Sequence, residues 1–181
     1  MGQPGFPVPV PCFVFDAADY DIRDFLALQK SLDHARAFFL LHQTTLALHD
    51  LHSIGIAHQD LKPSNVLMFG TDGIKIADLG RSSKLGRLSL IDGLPVAGDR
   101  GYSPPELLYG YILPDWNARR FGTDLYMLGG LVTFFVAQQS VTSMILSKLP
   151  VGLKPGQCDF QTVLPIWRHE FATVLDQIES Q

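Results

Sequence analysis

The stretch Ile56–Phe69, which reads IAHQDLKPSNVLMF, places His58, Asp60, Lys62 and Asn65 in a short polar segment between two apolar segments. Proteins often put their chemistry on such a loop, because rigid flanking elements fix the positions of the polar side chains. Any fold for this chain must therefore present a carboxylate, an ammonium and an amide together, between two core elements.

Apolar periodicity predicts a long helix before this stretch and a β-hairpin that includes its end. The helix is predicted from Ser31 to Ile54, with Ser31 or Asp33 as N-cap, and we expect it to be buried on most sides. Two strands, Val66–Phe69 and Ile74–Ala77, are expected to pair, because the intervening Asp72-Gly73 is a strong turn signal.

Shorter elements and loops make up the rest of the chain. In chain order we predict an irregular proline-rich N-terminus (1–11), a strand Pro11–Phe15, a helix Ile22–Gln29 capped by Asp21, an extended loop Gly80–Pro105, a helix Pro105–Tyr109, a buried helix Gly122–Gln138, and a helical region Phe160–Glu179 interrupted near Pro165. The predicted fold class is mainly α with small β-hairpins (α+β), and residues 12–181 form one domain.

Composition excludes several classes of function. The net charge is −4 and no run of Lys or Arg exceeds two residues, so nucleic acid is not an expected partner. The most apolar stretch, Leu125–Ala137, is shorter than the ~20 residues that span a bilayer, so no membrane span is expected. The N-terminus lacks a signal-peptide pattern, and Cys12 and Cys158 fit no disulfide framework. We therefore expect a cytoplasmic protein.

The polar loop carries the groups that phosphoryl transfer requires. Asp60 is followed two residues later by Lys62 and five residues later by Asn65. These groups suit an acceptor for an attacking hydroxyl, a cation near the moving phosphoryl, and a neutral oxygen ligand for Mg²⁺. Asp78, at the end of the predicted hairpin, adds a second carboxylate that is suited to the same ion.

Three motifs in order resemble the eukaryotic-type protein kinase family. His58-Gln59-Asp60 with Asn65 resembles the H-R-D-x-x-x-x-N catalytic loop, Asp78-Leu79-Gly80 resembles D-F-G, and Ser103–Glu106 resembles A-P-E. The resemblance runs from about Phe13 to Arg168. It implies a protein kinase-like large (C-terminal) lobe with the small lobe missing, because the sequence contains no G-x-G-x-x-G and no V-A-I-K lysine.

The resemblance implies roles for the matching polar residues. Asp60 would be the catalytic base and Lys62 the stabiliser of the γ-phosphate, in a form similar to serine/threonine kinases. Asn65 and Asp78 would be the Mg²⁺ ligands.

Three further residues are implied to be structural. His58 belongs to the catalytic-loop motif, and Asp124 resembles the buried aspartate that anchors the backbone of that loop. Glu106 would form an ion pair, for which we expect Arg168 as the partner.

Phe13–Asp19 resembles the last small-lobe strand running into the hinge that binds adenine. The implied nucleotide-binding residues are Phe15 as gatekeeper, Asp16, Ala18 and, at the ribose, Asp19 or Asp21. The implied cofactors are ATP and Mg²⁺.

Two residues depart from the family pattern in ways that bear on activity. Gln59 replaces the usual arginine and so removes the cation that would pair with a phosphorylated activation loop. We therefore do not expect an activating phosphosite at Ser82, Ser83 or Ser89. Asp99 lies where serine/threonine kinases place a threonine. We expect its carboxylate to pair with Lys62, to repel Asp60 and phosphate, and to lower activity.

Simpler interpretations exist for single residues. Asp60 and Asn65 would also serve as turn residues, although the combined motifs favour catalysis. His42, His49 and His52 lie at helical spacings that would suit a metal site, but nothing in the pattern completes one, so we interpret them as ordinary histidines.

The predicted function is a protein kinase domain that transfers phosphoryl from Mg-ATP to Ser or Thr of a protein substrate, incomplete as given. The alternative is an inactive kinase-like (pseudokinase) module that binds a partner protein through apolar surface around Phe13, Val14 and Phe15. A third alternative is a truncated gene product that lacks its natural N-terminus.

Overall fold

The computed structural model describes residues 12, 14–70, 73–88, 90–94, 96 and 98–179. The helices are α1 (Ile22–Ala27), α2 (His34–Ser53), α3 (Pro105–Leu108), α4 (Trp116–Ala137), α5 (Val141–Lys148) and α6 (Phe160–Glu179). The strands are β1 (Tyr20–Asp21), β2 (Ile56–Ala57), β3 (Val66–Phe69), β4 (Gly73–Ile76) and β5 (Ser83–Lys84). Short 3₁₀ turns lie at Pro63–Asn65, Leu79–Arg81, Leu90–Gly93 and Val151–Leu153. The predicted fold class, mainly α with small sheets, is confirmed.

Acidic caps start the first two helices. The carboxylate of Asp21 accepts a hydrogen bond from the backbone N–H of Asp24 at 2.8 Å, as predicted, although α1 ends two residues before Gln29. Asp33 caps α2 by accepting from the N–H of Arg36 at 3.1 Å. Such caps satisfy backbone donors that have no partner within the helix.

The predicted hairpin is confirmed. β3 and β4 pair antiparallel, with Val66 opposite Ile76 and Phe69 opposite Gly73. β4 begins one residue earlier than predicted, and Asp72 lies outside the described residues. β1 adds to the other edge of β3 in the order β1-β3-β4, and β2 and β5 form a separate antiparallel pair. The polar loop therefore connects β2 to β3.

The long helix α2 is buried on one face only, so the expectation of burial on most sides is wrong. Its buried residues, Ala37, Leu40, Thr44 and Leu48, recur every three or four residues. Phe38, by contrast, is 71 % exposed. The apolar residues on its outer face misled the sequence interpretation, because α4, β2 and β4 pack against only one side of the helix.

α4 starts at Trp116, six residues before the predicted start, because Asp115 caps it by accepting from Ala118 N–H at 2.6 Å. It is also less buried than predicted, since Leu125 and Val132 are more than half exposed. Helix α5 was not predicted, although Ser140 caps it.

The C-terminal helix α6 continues through Pro165, so the predicted interruption is wrong. Proline there removes the hydrogen bond to the carbonyl of Gln161, but both residues are exposed and water can solvate that carbonyl. Packing of Val163, Trp167 and Val174 into the core stabilises the helix on its other face.

The described part of the N-terminal segment is irregular. Residues 12, 14 and 15 belong to no strand, and Val14 is 96 % exposed, so these residues do not form the predicted strand. The predicted irregular N-terminus (1–11) and Phe13 lie outside the described residues. The predicted loop from Gly80 to Pro105 is largely irregular in its described part, with β5 and two 3₁₀ turns within it.

Two hydrophobic clusters of described residues lie on either side of α4. The first joins α1, α2, β3 and α4 and includes Ile22, Leu40, Leu61, Met127 and Leu131. The second joins α3, α5 and α6 around Val163 and Trp167. In the described chain, no single helix has both the length and the apolar character to cross a bilayer, and only α4 and α5 together, across a 79° bend, pass on length and composition.

Candidate active site

Asp124, on α4, anchors the start of the polar loop. Its fully buried carboxylate accepts backbone N–H bonds from His58 at 2.8 Å and Gln59 at 2.6 Å. His52 Nε2 donates a third hydrogen bond to it at 2.8 Å. Gln59 has a φ of +65°, a left-handed conformation that costs a non-glycine residue free energy unless its surroundings hold it. The bonds to Asp124 supply that restraint.

His58 links the polar loop to the end of the hairpin. Its buried ring donates from Nε2 to the carbonyl of Ala77 at 2.9 Å, and its Nδ1 accepts from the N–H of Asp60 at 3.2 Å. These two bonds are satisfied together by the neutral ring with its proton on Nε2. A second bond, from Ala77 N–H to the carbonyl of Asn65 at 2.8 Å, holds Asn65 beside the residue that precedes Asp78.

Asp60, Lys62 and Asn65 form a connected group. The ammonium of Lys62 lies 3.3 Å from Asp60 Oδ2. The amide nitrogen of Asn65 donates to the carbonyl of Asp60 at 2.7 Å and to its Oδ2 at 3.4 Å. Neither bond uses the amide oxygen of Asn65, the atom that suits a hard cation. Asp60 is almost fully buried, so its carboxylate is held in one orientation.

Asp99, in the long loop of residues 80–105, completes this group. Its backbone N–H donates to Asp60 Oδ1 at 2.8 Å, and its own carboxylate lies 3.7 Å from the Lys62 ammonium. The pairing of Asp99 with Lys62 that the sequence suggested is therefore present. The ammonium lies between two carboxylates.

Gly98 permits this close approach, and sequence reasoning missed it. A Cβ atom at position 98 would lie 2.7 Å from Asp60 Oδ1 and closer still to the carbonyl of Gln59. Any side chain larger than hydrogen would push the long loop away from the polar loop. The signal was present in the sequence as a glycine directly before Asp99.

Asp78 lines a cavity of about 680 Å³. It has a φ of +61°, and its Oδ1 accepts from the N–H of Gly80 at 3.3 Å. The cavity is lined by Val14, Phe15, Asp16, Leu67, Phe69, Lys75, Ile76, Ala77, Asp78 and Leu79. A mostly apolar cavity of this size with a few polar groups at its edge suits a small-molecule ligand.

Only some of the predicted nucleotide-binding residues line this cavity. Phe15 and Asp16 line the cavity, whereas Ala18 and Asp19 do not. The carboxylate of Asp19 accepts from the N–H of Gly70 at 2.7 Å and thus holds the hairpin turn. Asp21, the alternative ribose contact, caps α1 and pairs with the neighbouring Arg23.

The donor set fits Mg²⁺ better than a transition metal. No cluster of three His, Cys, Asp or Glu side chains suited to a metal is found among the described residues. Asn65 and Asp78 offer one amide and one carboxylate oxygen, and Mg²⁺ is commonly held by one or two protein oxygens plus substrate phosphates. Of the three histidines considered for a metal, His52 binds Asp124 and stacks on Phe121 at 4.2 Å.

Glu106, at the start of α3, is not paired with Arg168. No ion pair joins these two described residues, and Arg168 is exposed on α6. Burial raises the pKa of the Glu106 carboxyl above its ordinary value. The expected partner is therefore wrong. The sequence could not identify the partner of Glu106, because the contact between α3 and α6 depends on the packing of the whole fold.

Arg120, a second residue that sequence reasoning missed, is buried beneath the polar loop with 1 % of its surface exposed. Its Nη1 donates to Gln59 Oε1, and its Nη2 donates to Asp92 Oδ1 at 3.0 Å. The available signal was an arginine just before the predicted apolar helix, in a chain whose polar loop has Gln59 where the family motif has an arginine.

The helical lobe, the polar loop anchored by Asp124 and the Asp78 turn beside the cavity together define the large lobe of a protein kinase-like fold. A family model described as "Protein kinase domain" matches residues 10–148, and the chain belongs to this family. In a comparison of structures the chain is similar to one from the yeast RNA Pol II CTD kinase CTDK-1 complex. The TM-score is 0.59 at 27 % identity, over 70 % of this chain and 40 % of that one.

Curated kinases show similar likeness in sequence. The chain is 32 % identical over 145 residues to the hormonally up-regulated neu tumor-associated kinase of Mus musculus. The matched region covers 73 % of this chain and 20 % of that protein. It is 36 % identical over 115 residues to rhodopsin kinase GRK7 of Sus scrofa, over 59 % of this chain and 19 % of that protein. The chain thus spans about a fifth of the length of these relatives.

Proposed function

We propose that the chain is the large lobe of a serine/threonine protein kinase, which transfers the γ-phosphoryl group of Mg-ATP to a hydroxyl of a protein substrate. The observation that carries the proposal is the connected group of Asp60, Lys62 and Asn65. Asp124 anchors the start of the loop that bears this group, and the Asp78 turn lies beside it. The D-L-K-P-x-N form of the loop, similar to serine/threonine kinases, supports the choice of acceptor.

Asp60 would orient the acceptor hydroxyl and take its proton. Asp99 N–H occupies Oδ1 at 2.8 Å, while the Lys62 and Asn65 contacts to Oδ2 are longer, at 3.3 and 3.4 Å. The weaker contacts at Oδ2 leave that oxygen for a substrate hydroxyl. Proton transfer from the hydroxyl to Oδ2 would accompany formation of the new O–P bond, while the bond between the γ-phosphorus and the β,γ-bridging oxygen breaks and ADP leaves.

Lys62 and the oxygens of Asn65 and Asp78 would handle the charge of the phosphates. Asn65 and Asp78 would hold Mg²⁺, which supplies charge neutralisation on the triphosphate when it is bound. The Lys62 ammonium lies 3.3 Å from Asp60, so it would stabilise the phosphoryl group as that group moves to the acceptor hydroxyl. The apolar cavity next to Asp78 would receive the base, with Phe15 and Asp16 at its edge.

A protein substrate and a cytoplasmic location are part of the proposal. The names of the relatives support the first: one acts on rhodopsin and another on the RNA polymerase II CTD. Cys12 and Cys158 are not joined by a disulfide, which suits a reducing compartment.

A second candidate is a kinase-like module that binds a partner protein without catalysis. Val14 and Phe15 are 96 % and 84 % exposed, which leaves large apolar side chains on the surface beside the cavity. Asp99 also engages Lys62, the cation that phosphate needs. Both observations favour a binding role over efficient transfer.

Calorimetry with a non-hydrolysable ATP analogue separates the two candidates. We expect the chain to bind the analogue with micromolar affinity in Mg²⁺. The Asp78→Asn variant should bind at least about tenfold more weakly, because it loses a charged ligand of the ion. Asp60→Asn should bind within about twofold of the wild type, since Asp60 acts only in the transfer step. Absence of binding to the wild-type chain would favour the non-catalytic module.

A further inference from the structure

Arg120 joins two parts of the chain that are distant in sequence. One amino group of its guanidinium donates to the side-chain oxygen of Gln59 in the catalytic loop. The other donates to Asp92 twice, to its carboxylate at 3.0 Å and to its carbonyl at 3.2 Å. Asp92 lies in the long loop that follows the Asp78 turn. A single buried cation thus bridges the catalytic loop and the long loop.

Gln59 extends this bridge to the start of the long loop. Its amide nitrogen donates to the carbonyl of Arg81 and to the hydroxyl of Ser83, both at 2.9 Å. An amide serves this position well because its oxygen accepts from Arg120 while its nitrogen donates to the loop. An arginine at position 59 would have no acceptor to offer and would place a second cation against Arg120.

The charge on Arg120 needs a carboxylate. Burial lowers the pKa of this guanidinium, and the nearby Asp92 carboxylate acts in the opposite direction. A buried cation that loses its charged partner is strongly destabilising, whereas a paired one is tolerated. Asp92, whose side chain is 20 % exposed, supplies this carboxylate at 3.0 Å from the Arg120 guanidinium.

We infer that Arg120 is a positioning residue, and that its bridge to Asp92 and Gln59 orders the long loop against the catalytic loop without any phosphate on the loop. Arg120 supplies the cation that the family motif places at position 59. The carboxylate of Asp92 supplies the negative charge that a phosphorylated residue of the loop would otherwise provide. This inference rests on the proposed kinase function for its significance, but the contacts that carry it do not depend on activity.

Hydrogen–deuterium exchange of the whole chain, treated with phosphatase, tests the bridge directly. We expect the amides of Ser82, Leu85 and Leu94 to be protected in the wild type. Arg120→Gln and Asp92→Asn should each raise exchange there by about tenfold or more, because they open the loop locally. Arg87→Gln removes an exposed cation from the same loop, at a residue that takes no part in the bridge, and should leave exchange unchanged.

A charge swap distinguishes positioning from simple loss of packing. Gln59→Arg alone should raise exchange in the loop, because it sets two guanidinium groups together. Adding Arg120→Gln to that variant should restore protection to within about threefold of the wild type, since positions 59 and 120 again hold one cation and one amide. If Arg120 had a purely structural role, exchange in the loop would be faster in the double variant than in either single variant.

Two results would overturn the inference. The first is unchanged loop exchange in Arg120→Gln, and the second is wild-type protection that appears only before phosphatase treatment. Failure of the proposed kinase function would show differently, as absent binding of the ATP analogue together with an intact exchange pattern. The two failures are therefore separable.

Discussion

The ammonium of Lys62 lies 3.7 Å from the carboxylate of Asp99, a residue that meets it from the long loop. The same ammonium lies 3.3 Å from Asp60. A cation shared between two carboxylates is less available to a phosphate, and the second carboxylate repels the phosphate directly. Asp99 is therefore expected to limit the rate of the proposed reaction.

Replacing Asp99 with threonine should raise the rate of phosphoryl transfer about three- to tenfold. The gain is modest because the Asp99 side chain is 43 % exposed and solvent screens its charge. Asp99→Asn keeps the shape and removes the charge, so it should show a similar gain in steady-state kinetics. A decrease in both variants would mean that Asp99 assists the site.

Truncating Asp124 to alanine should lower the free energy of unfolding by about 3 kcal/mol or more. Three donors, the N–H groups of His58 and Gln59 and the ring of His52, would lose their charged acceptor. Urea unfolding measures this change. Asp50→Ala, at an exposed position, is the matched control and should stay within about 0.5 kcal/mol of the wild type.

Adding a methyl group at Gly98 should destabilise the protein by about 1–3 kcal/mol, because the new Cβ would overlap Gln59 and Asp60. Gly129→Ala is a matched control on the exposed side of α4, where no heavy atom lies within 4 Å of the added Cβ. Alanine favours a helix, so the control should be neutral or stabilised by about 0.5–1 kcal/mol. Equal thermal stability of the two variants would contradict the close packing at position 98.

The pH dependence of stability should include a contribution from Glu106. Burial raises the pKa of this carboxyl above its ordinary value of 4.5, so the folded state binds its proton more tightly than the unfolded state does. Stability from this group is present below pH 4.5 and is lost as the pH rises through the folded pKa. Glu106→Gln should make the free energy of unfolding less dependent on pH above pH 4.5. Glu179→Gln, on an exposed turn of α6, should leave that pH dependence unchanged.

Local signals in the sequence were sufficient for the parts of the fold that depend on neighbouring residues. The cap at Asp21 and the hairpin β3–β4 follow from short-range hydrogen bonding, and both were predicted within one or two residues. The catalytic-loop residues also lie close together in sequence, so their motif was readable. The start of α4 was missed because the polar residues after Asp115 mask its cap.

Features that depend on distant contacts could not be predicted in this way. α2 shows apolar residues on several faces, and only the packed structure reveals that one face is covered. The Arg120–Asp92 pair joins residues 28 positions apart through a fold that the sequence pattern does not define. Arg168 was assigned to Glu106 by analogy alone, and the arrangement of α3 and α6 did not bring them together.

Transfer of a radiolabelled γ-phosphate from ATP to a serine- and threonine-containing protein tests the central claim most directly. The chain should transfer phosphate in a Mg²⁺-dependent way, and Asp60→Asn should lower the rate by at least about 100-fold, because the acceptor hydroxyl loses its base. Asp50→Asn, at an exposed position on α2, should match the wild type. Equal transfer rates for the wild type and Asp60→Asn would contradict the proposed role of the catalytic loop.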